Sequence, residues 1–498
     1  MSAEGTAAPS GLAARVEAPP IEPAAEEGDP RRWLVLITVL VGQFLIISAA
    51  GAVNIALPSI REDLDASDAG MQWILVLYQL GFAATLVTGG RLGDLFGRKR
   101  VFLVGLAGFV AASALAAAAP GIGVLVFSRL LQGVFGGVAA PQVLAMIQVA
   151  FPPAERPKAF AAFGTVNGSA FMIGLLLTGG LLGLDPFGLD WRVLFLLNVV
   201  VGAVAMAASA VVLPRTLRGP RRRLDLAGVA LASAGSLLLL YPLVQGRNAG
   251  WPPLFFALLA LSVPVLASFL ALERRRTDRD ADPLVDLRLF RARSFRGGLA
   301  TMVAFSFGTI PTFFIITLTV QEGLGFSPLK TAVTTAPTPL GVVATAMLSS
   351  RLVPRFGRRM MAVSALCGMS ACVVLAGTLA WGPRPLEPWH LIPALLLQGA
   401  STGTGMTALV NLTLADVRPE DAGSASGVFQ TVQQSMAAVG IAGVGIVFFG
   451  VIGGATGLDP HVDGATAALA LTFATNLGVL GLHLLLPSPH RGARRRTS

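Results

Sequence analysis

Gly90-Arg91-Leu92-Gly93-Asp94-Leu95-Phe96-Gly97-Arg98-Lys99-Arg100 is a short charged stretch wedged between two apolar runs, 71–92 and 101–119. Each run has the length an α-helix needs to cross a hydrocarbon layer about 30 Å thick, and each is too long for a barrel strand. Gly93 and Gly97 permit a tight turn between two such helices, and Asp94 can accept bonds at a helix terminus. The cations Arg98, Lys99 and Arg100 can answer the negative end of a neighbouring helix, or simply mark a loop on the basic side of a membrane.

Outward from this loop the pattern repeats along the chain, with spans expected near 33–57, 71–92, 101–119, 122–148, 159–183, 191–213, 226–246, 253–272, 297–320, 329–350, 360–380, 389–412, 423–450 and 465–487. That is an all-α polytopic membrane protein of about fourteen helices. Composition agrees: 54% of the residues are hydrophobic and 13% charged, and the mean hydropathy is +0.71. A soluble domain could not hide that balance from water. Its 57 glycines suit helices that approach backbone to backbone in lipid.

The net charge of +10 does not point to nucleic acid, because the basic residues sit in alternate short loops. Arg98 to Arg100, Arg156 and Lys158, Arg215 to Arg223, Arg274 to Arg276, Arg355 to Arg359, Arg418 and Arg491 to Arg496 all fall on one side. Both termini are then expected in the cytoplasm, with residues 1–32 a disordered tail lacking the apolar core of a signal peptide and 488–498 a basic tail. Arg31-Arg32 resembles a twin-arginine start, but a full-length span follows without a small-residue cleavage site. Cys367 and Cys372 share one span and suggest neither a disulfide nor a metal framework.

An internal repeat is visible. Arg91-Leu92 with Phe96-Gly97-Arg98-Lys99 returns as Arg351-Leu352 with Phe356-Gly357-Arg358-Arg359, an offset of 260. Leu131-Gln132-Gly133 returns as Leu397-Gln398-Gly399, an offset of 266. Two halves of six spans, 33–213 and 297–487, are expected, with two further helices between them in 214–296.

The loop at Gly90 to Arg100 closely resembles the signature loop of the major facilitator superfamily. Residues 33–487 look like that family's fourteen-span drug/proton antiporter branch. The resemblance is carried by Val53-Asn54-Ile55-Ala56-Leu57-Pro58, Arg129-Leu130-Leu131-Gln132-Gly133 and Trp191-Arg192 with Asn198. It extends to Leu224-Asp225-Leu226-Ala227-Gly228, Leu287-Arg288-Leu289-Phe290 and Ala422-Gly423-Ser424-Ala425-Ser426-Gly427. It implies the major facilitator fold, a monomer, and a conformational latch at Gly90, Asp94, Gly97, Arg98 and Lys99. It also implies proton-coupled export of a small amphipathic compound by alternating access. Uptake by a symporter or uniporter remains the alternative.

Arg129, several positions into a span, is costly in lipid; it either serves transport or snorkels to an interface. In the family this Arg is implicated in proton transfer, which leaves Asp94 and Arg129 as the coupling candidates here; Gln132 and Gly133 complete its motif. Gly164, Gly168, Gly174, Gly179 and Gly180 resemble the antiporter motif of the fifth helix, although its Gly-Pro step reads Gly174-Leu175 and a straighter helix follows. The branch often carries an Asp five residues before the first-helix Asn, and Ala49 stands there instead. No Asp or Glu is expected well inside a span, so a neutral or anionic substrate is favoured over an organic cation. Gln43, Asn54, Gln79, Asn167, Gln430 and Gln434 are polar positions within spans and candidates to line the cavity. His390, His461, His483 and His490 fall at span ends or tails, His461 with Asp463 close by. No HExxH, nucleophile–base pair or GxxxxGK[ST] loop occurs, so neither an intramembrane enzyme nor direct ATP drive is expected, and no cofactor or metal is called for.

Overall fold

The computed structural model describes all residues except 1–30, 153–154, 185–187, 215–224, 247–248, 280–282, 327, 384, 454–457 and 488–498. The two expected tails, apart from Arg31 and Arg32, which begin α1, therefore lie outside the described residues, as do several basic residues of the loops and His490. Within them the chain forms fifteen α-helices. The first six are α1 (Arg31–Leu64), α2 (Asp68–Phe96), α3 (Arg98–Ala117), α4 (Ile122–Ala150), α5 (Arg156–Leu184) and α6 (Arg192–Val212). Then follow α7 (Leu226–Gln245) and α8 (Pro253–Asp278). The last group is α9 (Arg293–Leu318), α10 (Pro328–Thr335), α11 (Pro337–Phe356), α12 (Arg359–Trp381), α13 (Pro388–Thr413), α14 (Ala422–Ile452) and α15 (Leu458–Leu482).

Helix ends follow local chemistry. The Ser67 hydroxyl caps α2 by accepting from the Gly70 N–H at 3.2 Å. Asp225 caps α7 through Gly228 N–H at 2.7 Å, and Glu387 and His390 form a reciprocal cap on α13. Gly97 ends α2 and starts α3 at φ 89°, and Gly357 ends α11 at φ 51° just before Arg358 opens α12, both in the left-handed region that favours glycine. The expected span 329–350 is two pieces, α10 and α11, broken at Ala336. Pro337 and Pro339 bring no amide hydrogens, so the α-helical ladder cannot run through them. At the other end α15 starts seven residues before the expected 465, which draws Asp459, His461 and Asp463 into its first turns and buries His461.

α1–α6 pack among themselves, chiefly α2 on α4, α3 on α4 and α6, and α1 on α5 and α6. α9–α15 do the same through α11 and α12 on α13, α9 on α14 and α15, and α12 on α15. The two groups meet along α2–α14 and α5–α11, and the α7–α8 hairpin leans on α2 and α14. Small residues set these distances. A side-chain carbon on Gly81 would stand 2.8 Å from the Leu130 carbonyl, and one on Gly341 2.8 Å from the Leu396 carbonyl. The pairs Gly133 against Tyr78 O and Gly399 against Thr338 O repeat the arrangement at 2.1 and 2.2 Å. All of these obey the offsets of 260 and 266 seen in the sequence, so the repeat is one of backbone packing.

Candidate functional site

The two groups are joined where α2 ends against the first turn of α14, at the loop expected to act as a latch. The Asp94 carboxylate accepts from the N–H groups of Gly423 at 3.0 Å and Ser424 at 2.8 Å, and from the Ser424 hydroxyl at 2.8 Å. An anion thus sits on the free N–H groups and positive end of a helix belonging to the other group. Close approach makes this possible: a side-chain carbon on Gly90 would lie 2.3 Å from the Gly423 carbonyl oxygen. Arg98 pairs with Asp94 at 3.2 Å and donates to the Pro419 carbonyl, so the contact between the groups is tied twice. Lys99 reaches carbonyls at the end of α6. Its ammonium donates to the carbonyls of Ala210, at 2.8 Å, and Leu213, securing α3 to the C-terminal end of α6 within the first group.

The same end of the bundle carries a further tie that no charge pattern announced. The Gln148 amide of α4 donates to the Leu414 carbonyl after α13 at 2.7 Å, with both residues buried. Gly423, Ser424 and Gln148 all act here; the first two were visible only as members of a family pattern, and Gln148 reads in sequence as one polar residue at a helix end.

Arg129 is fully buried in the first group. Its Nε donates to the Ile74 carbonyl at 3.2 Å and its Nη1 to Gln132 Oε1 at 2.8 Å; Gln132 passes the chain on to the Ser113 hydroxyl at 2.7 Å. The guanidinium lies 4.2 Å over the Tyr78 ring, whose hydroxyl donates to the Ile46 carbonyl. Nη2 is buried without a hydrogen-bond partner, and no described carboxylate pairs with the cation. Snorkelling to an interface is not what it does. A buried cation held by dipoles and one aromatic face retains a demand for negative charge. Tyr78 is one of only two tyrosines in the chain, and a lone tyrosine in a span was the available sign of it.

Of the remaining candidates, Gln43 and Asn167 meet, the Gln43 amide donating to Asn167 Oδ1 at 3.2 Å and leaving Gln43 Oε1 buried and unpartnered. Gln430 is buried with its Nε2 unpartnered. Gln79 and Gln434 are exposed, and the Asn54 side chain lies outside those described. In α5, Gly168 faces Val342 of α11 and Gly164 faces Thr407 of α13, so these two do admit a close neighbour from the other group. Gly174 instead packs on Ser48 of α1 within its own group, Gly180 meets open space, and Gly179 lies between them on the same helix.

An all-helical bundle made of two repeated groups, with a tie across their seam and a buried cation in one, is the build of a multi-pass secondary transporter. The chain belongs to the Major Facilitator Superfamily, whose family model matches residues 39–441. Among its relatives, a probable actinorhodin transporter of Streptomyces coelicolor is 38% identical over 85% of this chain and 73% of that one. The puromycin resistance protein pur8 of Streptomyces alboniger is 37% identical over 95% of this chain and 94% of that one. The cephamycin export protein CmcT of Amycolatopsis lactamdurans is 33% identical over 82% and 83%. In fold the chain is similar to the human organic anion transporter MFSD10 (TETRAN), with a TM-score of 0.64 over 92% of this chain and 100% of that one at 16% identity.

Proposed function

We propose that the protein exports a small amphipathic compound, neutral or anionic, in exchange for protons, and that it does so by alternating access of its two groups. The relatives named for antibiotic export and resistance support export of this class of compound. The observation that carries the charge preference is Arg129: fully buried, with one nitrogen unpartnered and no described counter-anion. A bound anion or the dipole of a neutral acceptor satisfies that nitrogen, whereas an organic cation adds a like charge to it.

In this reading residues 33–213 and 297–487 are the moving halves, 214–296 the inserted hairpin, and the end bearing Arg98 to Arg100 faces the cytoplasm with both termini. Asp94, Arg98 and Gln148 then hold the cytoplasmic end shut, which is an outward-facing arrangement. Gln43, Asn167 and Gln430 offer the substrate hydrogen bonds near the seam. Asp94 and Arg129 are the groups assigned to proton coupling, Asp94 because charge on it closes the latch and Arg129 because a substrate anion and a proton-driven change compete for the same neighbourhood.

Inverted vesicles test this. Neutral or anionic amphiphiles are expected to release protons from the vesicle interior with wild type and not with Arg129→Ala. Proton release by quaternary ammonium compounds alone overturns the charge preference; solute movement without proton movement overturns antiport.

A further inference from the structure

The α7–α8 hairpin holds two buried acids that the transport reading does not use. Asp225 and Glu273 are 2% and 0% exposed. Asp225 Oδ1 is satisfied, by Gly228 N–H at 2.7 Å and Arg276 at 3.1 Å, and Glu273 Oε2 accepts the Val285 N–H at 2.8 Å. The other oxygen of each, Asp225 Oδ2 and Glu273 Oε1, is buried and has no partner. Both point to one place, each 2.7 Å from where a side-chain carbon on Gly228 would stand, so that the glycine leaves the room they share. Arg276 pairs with Asp225, and Arg288 reaches the Thr277 carbonyl one turn beyond Glu273 at 3.2 Å. With both carboxyls ionised, the one guanidinium bonded to the pair leaves it a net negative charge, with two unpartnered acceptor oxygens turned toward one place. One proton shared between those oxygens cancels that charge and converts the clash into a hydrogen bond.

We propose that Asp225 and Glu273 form a single-proton site that clamps the hairpin to the segment leading into α9. Glu273 is the hinge of this clamp, because its second oxygen holds Val285, and Leu284, Val285 and Leu289 of that segment are buried in the main core. Thr277 strengthens it by accepting from Leu287 N–H at 3.3 Å. Two oxygens without a third ligand suit a proton and not a metal ion, whose shell needs more donors. Loss of the proton sets two anions against each other and loosens the segment 283–291. The clamped form holds one proton more than the loosened one, so opening grows with rising pH, by up to roughly tenfold per pH unit, until the pair itself has titrated.

The test uses the full chain in nanodiscs. Infrared difference spectra at neutral pH are expected to show a protonated carboxyl that is absent in both Glu273→Gln and Asp225→Asn. Amide exchange of segment 283–291, corrected for intrinsic rates, is expected to rise with pH in wild type and to stay slow and flat in Glu273→Gln, whose amide mimics the protonated acid. Should that variant not fold, Asp225→Asn carries the same comparison. A flat wild-type profile, or a variant profile with the wild-type slope, overturns the proposal. Protection restored by sodium or magnesium at fixed pH also overturns it, in favour of a metal cation.

Discussion

The two copies of the glycine-punctuated loop share a backbone and differ in what they hold. Gly97 and Gly357 both take a positive φ, and Thr85 and Thr345 reach the neighbouring helix alike, bonding the carbonyls of Val134 at 3.0 Å and Ala400 at 3.4 Å. Yet the position of Asp94 is Pro354 in the second copy, and the position of Arg129 is Leu395. The first copy crosses the seam to α14, whereas Arg358 of the second donates to the Leu484 carbonyl of its own group at 3.0 Å. The close packing is thus common to both copies, whereas the acid at Asp94 and the cation at Arg129 have no counterpart in the second. A scaffold that is symmetric in its close contacts can carry an asymmetric tie, because such a tie needs one anion and one helix end.

The largest break in that comparison is expected at Asp94. Asp94→Ala strips acceptors from two backbone N–H groups and a hydroxyl at once, a loss on the order of 3 kcal/mol, or about a hundredfold in the population latched. Spin-label distances across the α2–α14 seam should lengthen, and transport in vesicles should fall with them. Pro354→Ala, at the equivalent place, should change neither by more than about twofold. Equal losses from both would mean that the second copy latches too.

Arg129 separates function from stability. Arg129→Leu installs the residue of the other half and removes a buried cation that no described carboxylate pairs with. The melting temperature should hold or rise, since exchanging a buried charge for an apolar side chain is often neutral or stabilising. Efflux of neutral or anionic compounds should nevertheless drop by about tenfold or more. A large fall in melting temperature would make Arg129 a structural residue of the α2–α4 contact.

Glycine positions sharpen the comparison at smaller scale. Gly90→Ala drives a carbon to 2.3 Å from the Gly423 backbone, which must give way at a cost of roughly 1–3 kcal/mol to the latched state. Gly180→Ala, on a helix face with nothing within 4 Å, should be silent in transport and in thermal melting. Matching losses at both would remove close approach as the reason for these glycines.

These contrasts also show what could be read from the chain. The helices, the repeat and the charged loop between α2 and α3 were legible because hydropathy and glycine spacing are local and periodic signals. The break at Ala336 was hinted at by Pro337 and Pro339, but apolar length alone runs through it. The sharing of Gln43 with Asn167, 124 positions apart, depends on how α1 and α5 turn about their axes, which no single helix encodes. Lys99 was placed with Arg98 by the family resemblance; a helix start sends neighbouring side chains in different directions, and the ammonium bonds carbonyls at the end of α6. Asp225 entered the sequence analysis only as part of a family pattern and Glu273 not at all, because each lies beside a basic run; folding buries both.

The smallest expected effect is electrostatic. Asp421, half-buried at the start of α14, has its carboxyl held above the usual range first by burial and then by Asp94, Glu420 and Asp286, with Arg418 opposing. In the latched state Asp94 is brought onto the same helix end, and opening the seam takes it away. The latched state therefore binds the Asp421 proton more tightly than the open one. By linkage the latch gains stability below the raised value, and that gain is lost as pH rises through it. Seam distances should accordingly shorten on mild acidification, by a shift in population of no more than a few-fold given solvent screening at this edge. Asp421→Asn should flatten the profile while leaving the latch closed. If the variant keeps the wild-type slope, the pH response belongs to another group, and the difference between the two loop copies reduces to Asp94 alone.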